Sequence, residues 1–337
     1  MTLAPLAGFR SLITHHCITG SLRHLYVFNG HPLSEEMLLG LGAGVGFVYW
    51  RQKGELPFIG GRGNARGGFE PLVGARTGVD IRAYTSGSAR KAEQALLDYL
   101  AEGQPVMIQC DMGYLPYFDF GAEFHFGGHA VVVCGYDAAA RQVLVADRDE
   151  PLHPVSLEDL EKARGSTHKP FAPERRWYRC DFQAKRDPTT DEIRAAIGEM
   201  ATAMLQPPIA NLGVEGICTA AQRIRKWPQT MDKDALRHAL FNVWVYTDAT
   251  GGTGGGLFRY MLARFLHESA ARMGLAALDD LAEAFQRIGD GWQQAAEMCK
   301  AASEATDPVA ALPLIGEQLL ALAAEERAAW EKTRQQL

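Results

Sequence analysis

Gly127-Gly128-His129-Ala130-Val131-Val132-Val133-Cys134-Gly135-Tyr136-Asp137 is the stretch on which the reading of this chain turns. A glycine pair, a run of β-branched and apolar residues and a closing turn residue predict a buried strand over 130–136. The short turn 137–141 joins it to a second apolar run, 143–147, as a hairpin. His129 therefore opens one strand and Asp147 ends the next. A strand start fixes an imidazole, and a carboxylate beside it holds the tautomer through the other ring nitrogen. Far upstream, Cys17 precedes Ile18, Leu22, Leu25 and Tyr26, which recur at helical spacing until Asn29-Gly30 ends the run. The thiol thus sits on a first helical turn, where the helix N-terminus and an imidazolium partner can lower its pKa.

Each residue has an ordinary reading when taken singly: a small buried hydrophobe for the cysteine, a structural ring for the histidine. Their joint order in this helix and strand context points instead to a nucleophilic site, with Cys17 as nucleophile, His129 as base and Asp147 as its orienting acid. Asp137 and Asp149 compete for the third role, but Asp137 reads as a turn residue and Asp149 lies past the strand end.

Other elements frame these. Pro32 and Ser34 introduce a second short helix through Met37 and Leu41, with Glu35 and Glu36 at its positive end. A glycine-rich turn yields to a strand over 47–50. Ser88 caps a helix to about Glu102, stopped by Gly103, and a strand follows over 106–110. Ser156 with Asp159 matches a helix start, and a last strand covers 177–182. Composition changes around 184–190. From there to Leu337 helical periodicities dominate, punctuated by Pro207-Pro208, Trp227-Pro228 and the run Gly251-Gly252-Thr253-Gly254-Gly255-Gly256. We expect an α+β protein with a catalytic domain over 1–184 and a mainly helical domain over 185–337.

Composition excludes several classes. The 337 residues, 47% apolar and 22% charged, suit a globular chain of two domains. The formal charge of −6 argues against general nucleic-acid binding. The apolar stretch 37–50 is short and broken by Gly40, Gly42, Gly44 and Gly46, so no membrane span is expected. Thr14, His15 and His16 stand where a secretory leader would need apolar and small residues, and a cytoplasmic location is expected. Six cysteines without a Cys-x-x-Cys pair suggest reduced thiols, and no metal-ligand spacing stands out. Arg51, Lys53, Arg62, Arg66, Arg76, Arg82 and Arg90 outnumber Glu55, Glu70 and Asp80 between them. That stretch is either a dock for an acidic partner or phosphate-bearing arm, or a solvated loop.

Further candidates each carry two readings. His15 and His16 either face the thiol and join the Cys17 amide in an oxyanion site, or cap and pack the helix start. The loop 111–126 bears Tyr114, Tyr117, Phe118, Phe120, Phe124 and Phe126 with Asp119, Glu123 and His125. It either walls the acyl or acceptor pocket or packs as a hairpin tip, so Tyr117, Asp119 and His125 are candidate lining residues. The glycine run 251–256 lacks the Gly-Lys-Ser/Thr of a nucleotide loop. It either meets the first domain's site, with Arg259 aimed at an anion, or is a tight connection between helices. Trp227, Trp244 and Trp292 read as core.

The segments His16-Cys17, Ser21-Leu22-Arg23-His24-Leu25, Asn29-Gly30, Leu33-Ser34-Glu35-Glu36-Met37 and Gly40-Leu41-Gly42-Ala43-Gly44-Val45-Gly46-Phe47 resemble the N-terminal signature of the butirosin-biosynthesis BtrH-type acyltransferases. Glu215-Gly216, Trp227-Pro228 and the stretch 251–259 resemble the helical C-terminal domain found with it. The resemblance covers nearly the whole chain. It implies a papain-like fold of the cysteine-peptidase type, used to move an acyl group from a carrier-protein thioester through the active-site cysteine to an amine. Cys17, His129 and Asp147 match its nucleophile, base and orienter. One departure is Ser11, six residues before the nucleophile, where papain-like peptidases carry an oxyanion glutamine.

The expected activity is therefore acyl transfer in secondary metabolism, with an acyl carrier protein as donor and a small-molecule amine as acceptor. No cofactor of its own is implied, because the phosphopantetheine arm belongs to the donor. Two other readings stay open: a cysteine peptidase or thioesterase of the same fold, and a catalytically silent binding module. The helical domain offers surface for a homodimer.

Overall fold

The computed structural model describes residues 3–52, 54–63, 67–119, 121 and 124–337. Lys53, Arg66, Phe120 and Glu123 lie outside the described residues. The chain begins with α1 (Cys17–Phe28), α2 (Glu35–Leu41), β1 (Val45–Trp50), β2 (Phe58–Arg62), α3 (Phe69–Thr77), β3 (Asp80–Tyr84), α4 (Ala89–Ala101) and β4 (Val106–Cys110). Then come β5 (His129–Asp137), β6 (Gln142–Ala146), β7 (Leu152–Ser156), α5 (Leu157–Gly165) and β8 (Trp177–Asp181). Helices fill the rest: α6 (Thr190–Leu205), α7 (Gly213–Ile224), α8 (Lys233–Thr247), α9 (Arg259–Met273), α10 (Ala277–Glu304) and α11 (Leu312–Gln336). The protein is mixed α/β, with its sheet in the N-terminal part and a helical C-terminal part. Among the described residues no helix is long and apolar enough to cross a membrane.

Two compact units form, and they do not follow chain order. One comprises 1–38 and 77–187, the other 39–76 and 188–337. The segment 39–76 belongs with the helices rather than with the sheet. Close packing explains that allegiance. A Cβ on Gly40 would collide with the Phe265 ring, and one on Gly42 with the Phe69 ring, so the bare backbone lets these rings approach. The basic stretch 51–90 is thereby divided between the units. Arg76 is buried against Glu199 at 2.6 Å and Arg82 pairs with Asp80 at 2.6 Å, whereas Arg90 is exposed.

The first unit is built on a six-stranded antiparallel sheet in the order β3-β8-β4-β5-β6-β7. Val131 and Val133 of β5, Val143 and Val145 of β6 and Ile108 of β4 are buried together with Leu96 of α4 and Leu160 of α5. Alternation at period two sends these side chains to one face, which the two helices cover. The local signals hold: Ser88 caps α4 by accepting from Lys91 N–H, and Ser156 caps α5 by accepting from Asp159 N–H. On the same sheet α1 packs against β5 and β4, which brings its N-terminus to the start of β5.

In the second unit Arg259 and Glu326 are both fully buried, with Arg259 Nε 2.6 Å from Glu326 Oε1. Trp292 Nε1–H donates to Oε1 and Trp330 Nε1–H to Oε2, while Arg259 Nη1 donates to the Gly46 and Leu257 carbonyls. Arg259 therefore does not aim at an anionic ligand, a correction to the expected site lining. Four positive-φ glycines, Gly252, Gly254, Gly255 and Gly256, with Leu257 and Phe258 also left-handed, make the glycine run a tight helix connection that turns Arg259 inward. Trp227 and Trp292 are core, whereas Trp244 is only half-buried, with the Lys300 ammonium 4.4 Å above its ring.

Removing the carboxylate at 326 strands a buried guanidinium and two indole N–H groups. Glu326→Ala should cost about 3–5 kcal/mol of stability in chemical denaturation. A loss below about 1 kcal/mol would contradict the packing described.

Candidate active site

Helix α1 starts because His16, in extended backbone, accepts the Thr19 N–H on its ring Nδ1. Cys17 is its first residue. The Cys17 amide is one of the N–H groups that a helix leaves unbonded at its start, and the positive end of the helix faces the sulfur. Cys17 is half-buried. His16 Nε2 stands 4.0 Å from Cys17 Sγ. The His129 imidazole also acts on the thiol, and each shifts the other's pKa toward the charged form.

His129 is 2% exposed and begins β5 opposite Cys110 of β4. Its Nε2 is 2.7 Å from Asp147 Oδ2, which leaves Nδ1 as the nitrogen for Cys17. Asp147 follows β6 directly and is itself buried. The same Oδ2 accepts from Tyr117 O–H at 3.0 Å. Burial alone would push the Asp147 carboxyl up, but the His129 charge and the hydrogen bonds from His129 and Tyr117 hold it below its usual value. Burial would likewise push the imidazole down. The charge and hydrogen bond of Asp147, and the sulfur, outweigh it and raise His129 to about 9.

For Cys17 burial works against ionisation, yet the field of His16 and the hydrogen bonds with His129 and His16 bring the thiol well below its ordinary value. The contrast with Cys110 is instructive. That thiol is fully enclosed one strand away, and burial together with the Asp147 charge pushes it well above normal. The site thus supports a thiolate–imidazolium pair at Cys17 and not at its neighbour.

The remaining candidates separate cleanly. Tyr117 belongs to the site through Asp147 and stacks on His153 at 4.0 Å, while Phe118 sets its ring edge against His129 at 5.8 Å. Asp149, a rival for the third role, pairs with His153 at 2.8 Å instead, and Asp137 caps its own turn through the Ala139 and Ala140 amides. His125 lies with Asp111 at 3.0 Å and stacks on His168 at 3.4 Å, in a separate cluster that includes Ser166. Asp119 is exposed, and no contact to the three residues is seen among the described ones. The His15 side chain is about half exposed and approaches Glu36. Ser11 donates to the Asp149 carbonyl, so it does not stand in for an oxyanion glutamine.

Two participants escaped the sequence. Glu35, read only as a favourable charge on α2, is 1% exposed and accepts from the His15 and His16 amides at 2.8 Å each. Thr19 links the two elements by donating its hydroxyl to Glu35 Oε1 at 2.8 Å. His24 is structural: its Nε2 accepts the Leu12 N–H and its Nδ1 meets the Gly20 carbonyl, and burial lowers its pKa to about 4. Among the described residues no group of three or more His, Cys, Asp or Glu is arranged to hold a metal ion.

The butirosin biosynthesis protein H N-terminal family model matches residues 16–148, a span that starts one residue before Cys17 and ends one after Asp147. A second model, for a domain of unknown function, DUF4872, matches residues 158–333, more than half of the chain. No curated protein matches. This chain belongs to the BtrH-type family, in which a butirosin biosynthesis protein H N-terminal domain precedes a DUF4872 domain.

Proposed function

We propose that the protein is an acyltransferase of secondary metabolism that carries an acyl group on Cys17 from a carrier-protein thioester to an amine. One observation carries the reading: the buried Asp147–His129 pair at 2.7 Å, whose imidazole interacts electrostatically with a thiol at a helix start. Membership of the butirosin biosynthesis family supports a biosynthetic role over a degradative one. A nucleophile-bearing helix packed on an antiparallel sheet that supplies the base and acid supports a papain-like catalytic unit.

The steps follow from the charges. The Cys17 thiolate attacks the thioester carbonyl, and the oxyanion that forms is met by the Cys17 amide and His16 Nε2–H. Thr19 N–H donates to Nδ1, so in the neutral ring the proton lies on Nε2, the atom nearest the sulfur. As the tetrahedral adduct collapses, His129 Nδ1–H protonates the departing phosphopantetheine thiol. His129 is then neutral, takes a proton from the amine as its nitrogen attacks the Cys17 acyl group, and finally leaves the thiolate–imidazolium pair restored. Thioester exchange is nearly balanced, so amide formation supplies the drive. The carrier contributes the pantetheine arm, and the protein needs no cofactor of its own.

Incubation with acyl-carrier thioesters should add the acyl mass to the wild-type chain and not to Cys17→Ala in intact-mass spectrometry. Release of that acyl group to an added amine, faster than to water, selects transfer over a thioesterase or peptidase. Absence of any adduct in a folded protein would sink the proposal in favour of a silent module.

The acylation rate should be bell-shaped in pH. It falls in acid as the thiolate is protonated, and falls again as pH rises through about 9 and His129 loses its proton. A rate still climbing above pH 9 would contradict an imidazolium proton donor.

Asp147→Asn removes the charge that keeps His129 protonated while conserving shape. Acylation should slow on the order of 10²-fold without vanishing, and the alkaline limb should move down from about 9. Wild-type kinetics in this variant would remove Asp147 from the mechanism.

A further inference from the structure

Glu35 lies at the start of α2, outside the set of residues that react, yet its carboxylate is almost wholly buried. Each oxygen is committed: Oε2 accepts the His15 N–H, and Oε1 accepts the His16 N–H and the Thr19 hydroxyl, all at 2.8 Å. The two amides belong to the turn just ahead of α1, where no helical carbonyl serves them. A buried anion is costly unless fully hydrogen-bonded, and this one gains charge-assisted bonds together with the positive end of its own helix. The stabilisation is spent on one short turn.

That turn ends on the nucleophile. His16 is held at its amide by Glu35 and at its ring by the Thr19 amide, while the Thr19 hydroxyl is tied back to the same carboxylate. Because the hydroxyl proton goes to Glu35, the Thr19 N–H is left as the donor to ring Nδ1, and Nε2–H is directed at the sulfur 4.0 Å away. Resting on the reading of Cys17 as nucleophile, we infer that Glu35 is a positioning residue: it clamps the His15–His16 turn and Thr19 so that the His16 ring stays against Cys17.

Charge and position make opposite demands, which makes the inference decidable. A carboxylate acting only through its negative charge disfavours a neighbouring thiolate, so removing it would ease ionisation of Cys17. A carboxylate acting by holding His16 favours the thiolate, and its removal would impede ionisation. In Glu35→Gln the side-chain amide keeps one acceptor oxygen for three donors and sets an NH₂ against a backbone N–H.

The test is the pH dependence of Cys17 alkylation by iodoacetamide, located by peptide mass mapping on the full chain. Glu35→Gln should move the midpoint upward by about one unit, so that alkylation well below the midpoint slows about tenfold, and His16→Ala should move it the same way. Glu36→Gln, which removes the same charge one residue along α2, should leave the midpoint in place. An unchanged or lowered midpoint in Glu35→Gln overturns the inference. If that variant does not fold by circular dichroism, Thr19→Val decides instead: it removes only the hydroxyl bridge, and an upward shift supports the clamp while no shift overturns it. Alkylation needs no acyl donor. An upward shift in a chain that takes acyl groups from no thioester would retire the transferase reading and leave the clamp standing.

Discussion

In the proposed mechanism the sulfur of Cys17 and the ring of His129 act as one electrostatic unit with Asp147 behind them. Enclosure opposes both ions, raising a thiol and lowering an imidazole, so neither would be ionised alone. In the proposed pair their mutual attraction prevails, because a carboxylate 2.7 Å beyond the ring raises the His129 imidazole to about 9. The carboxylate is in turn held by Tyr117 and lies in the field of Arg148. Such a buried set is weak evidence for stability, since desolvation consumes much of the Coulombic gain.

What the sequence made legible is what short-range periodicity controls. Apolar spacing after Cys17 marked α1, alternation after Gly128 marked β5, and the hairpin turn delivered Asp147 beside His129. Three local signals sufficed for the three central residues. Contacts between distant segments were not legible. Tyr117 stands out as a loop aromatic, but its bond to Asp147 spans 30 positions, and Glu35 reaches back to a turn it does not adjoin, so neither contact shows in any window of the sequence. Short polar strands were also missed: β3 has only Ile81 buried, and β7 contains Pro154, which weakens any strand pattern.

Arg259 and the segment 39–76 show why tertiary packing overrides local expectation. Arg259 after a glycine run has two local readings, a cation aimed at an anion in the first domain's site or part of a tight helix connection. Consecutive left-handed residues realise the second by turning the cation onto Glu326 in the core. In the same unit, Gly40 and Gly42 carry no local signal beyond a glycine-rich stretch, but they are close-approach points for Phe265 and Phe69. Both cases turn on space that becomes scarce only once distant helices assemble. The two family models, by contrast, follow the chain in order, so family boundaries and compact units answer different questions.

The protonation state of His129 is the quantity on which the proposed acyl chemistry at Cys17 depends, and it can be read directly by nitrogen NMR of the histidine side chains across a pH titration, with His129→Gln used for assignment. The ring should be doubly protonated at about pH 7, with Nε2–H held by Asp147, and should release its Nδ1 proton only near pH 9. A neutral His129 ring at about pH 7 beside a protonated Cys17 would contradict the ion pair and the mechanism built on it.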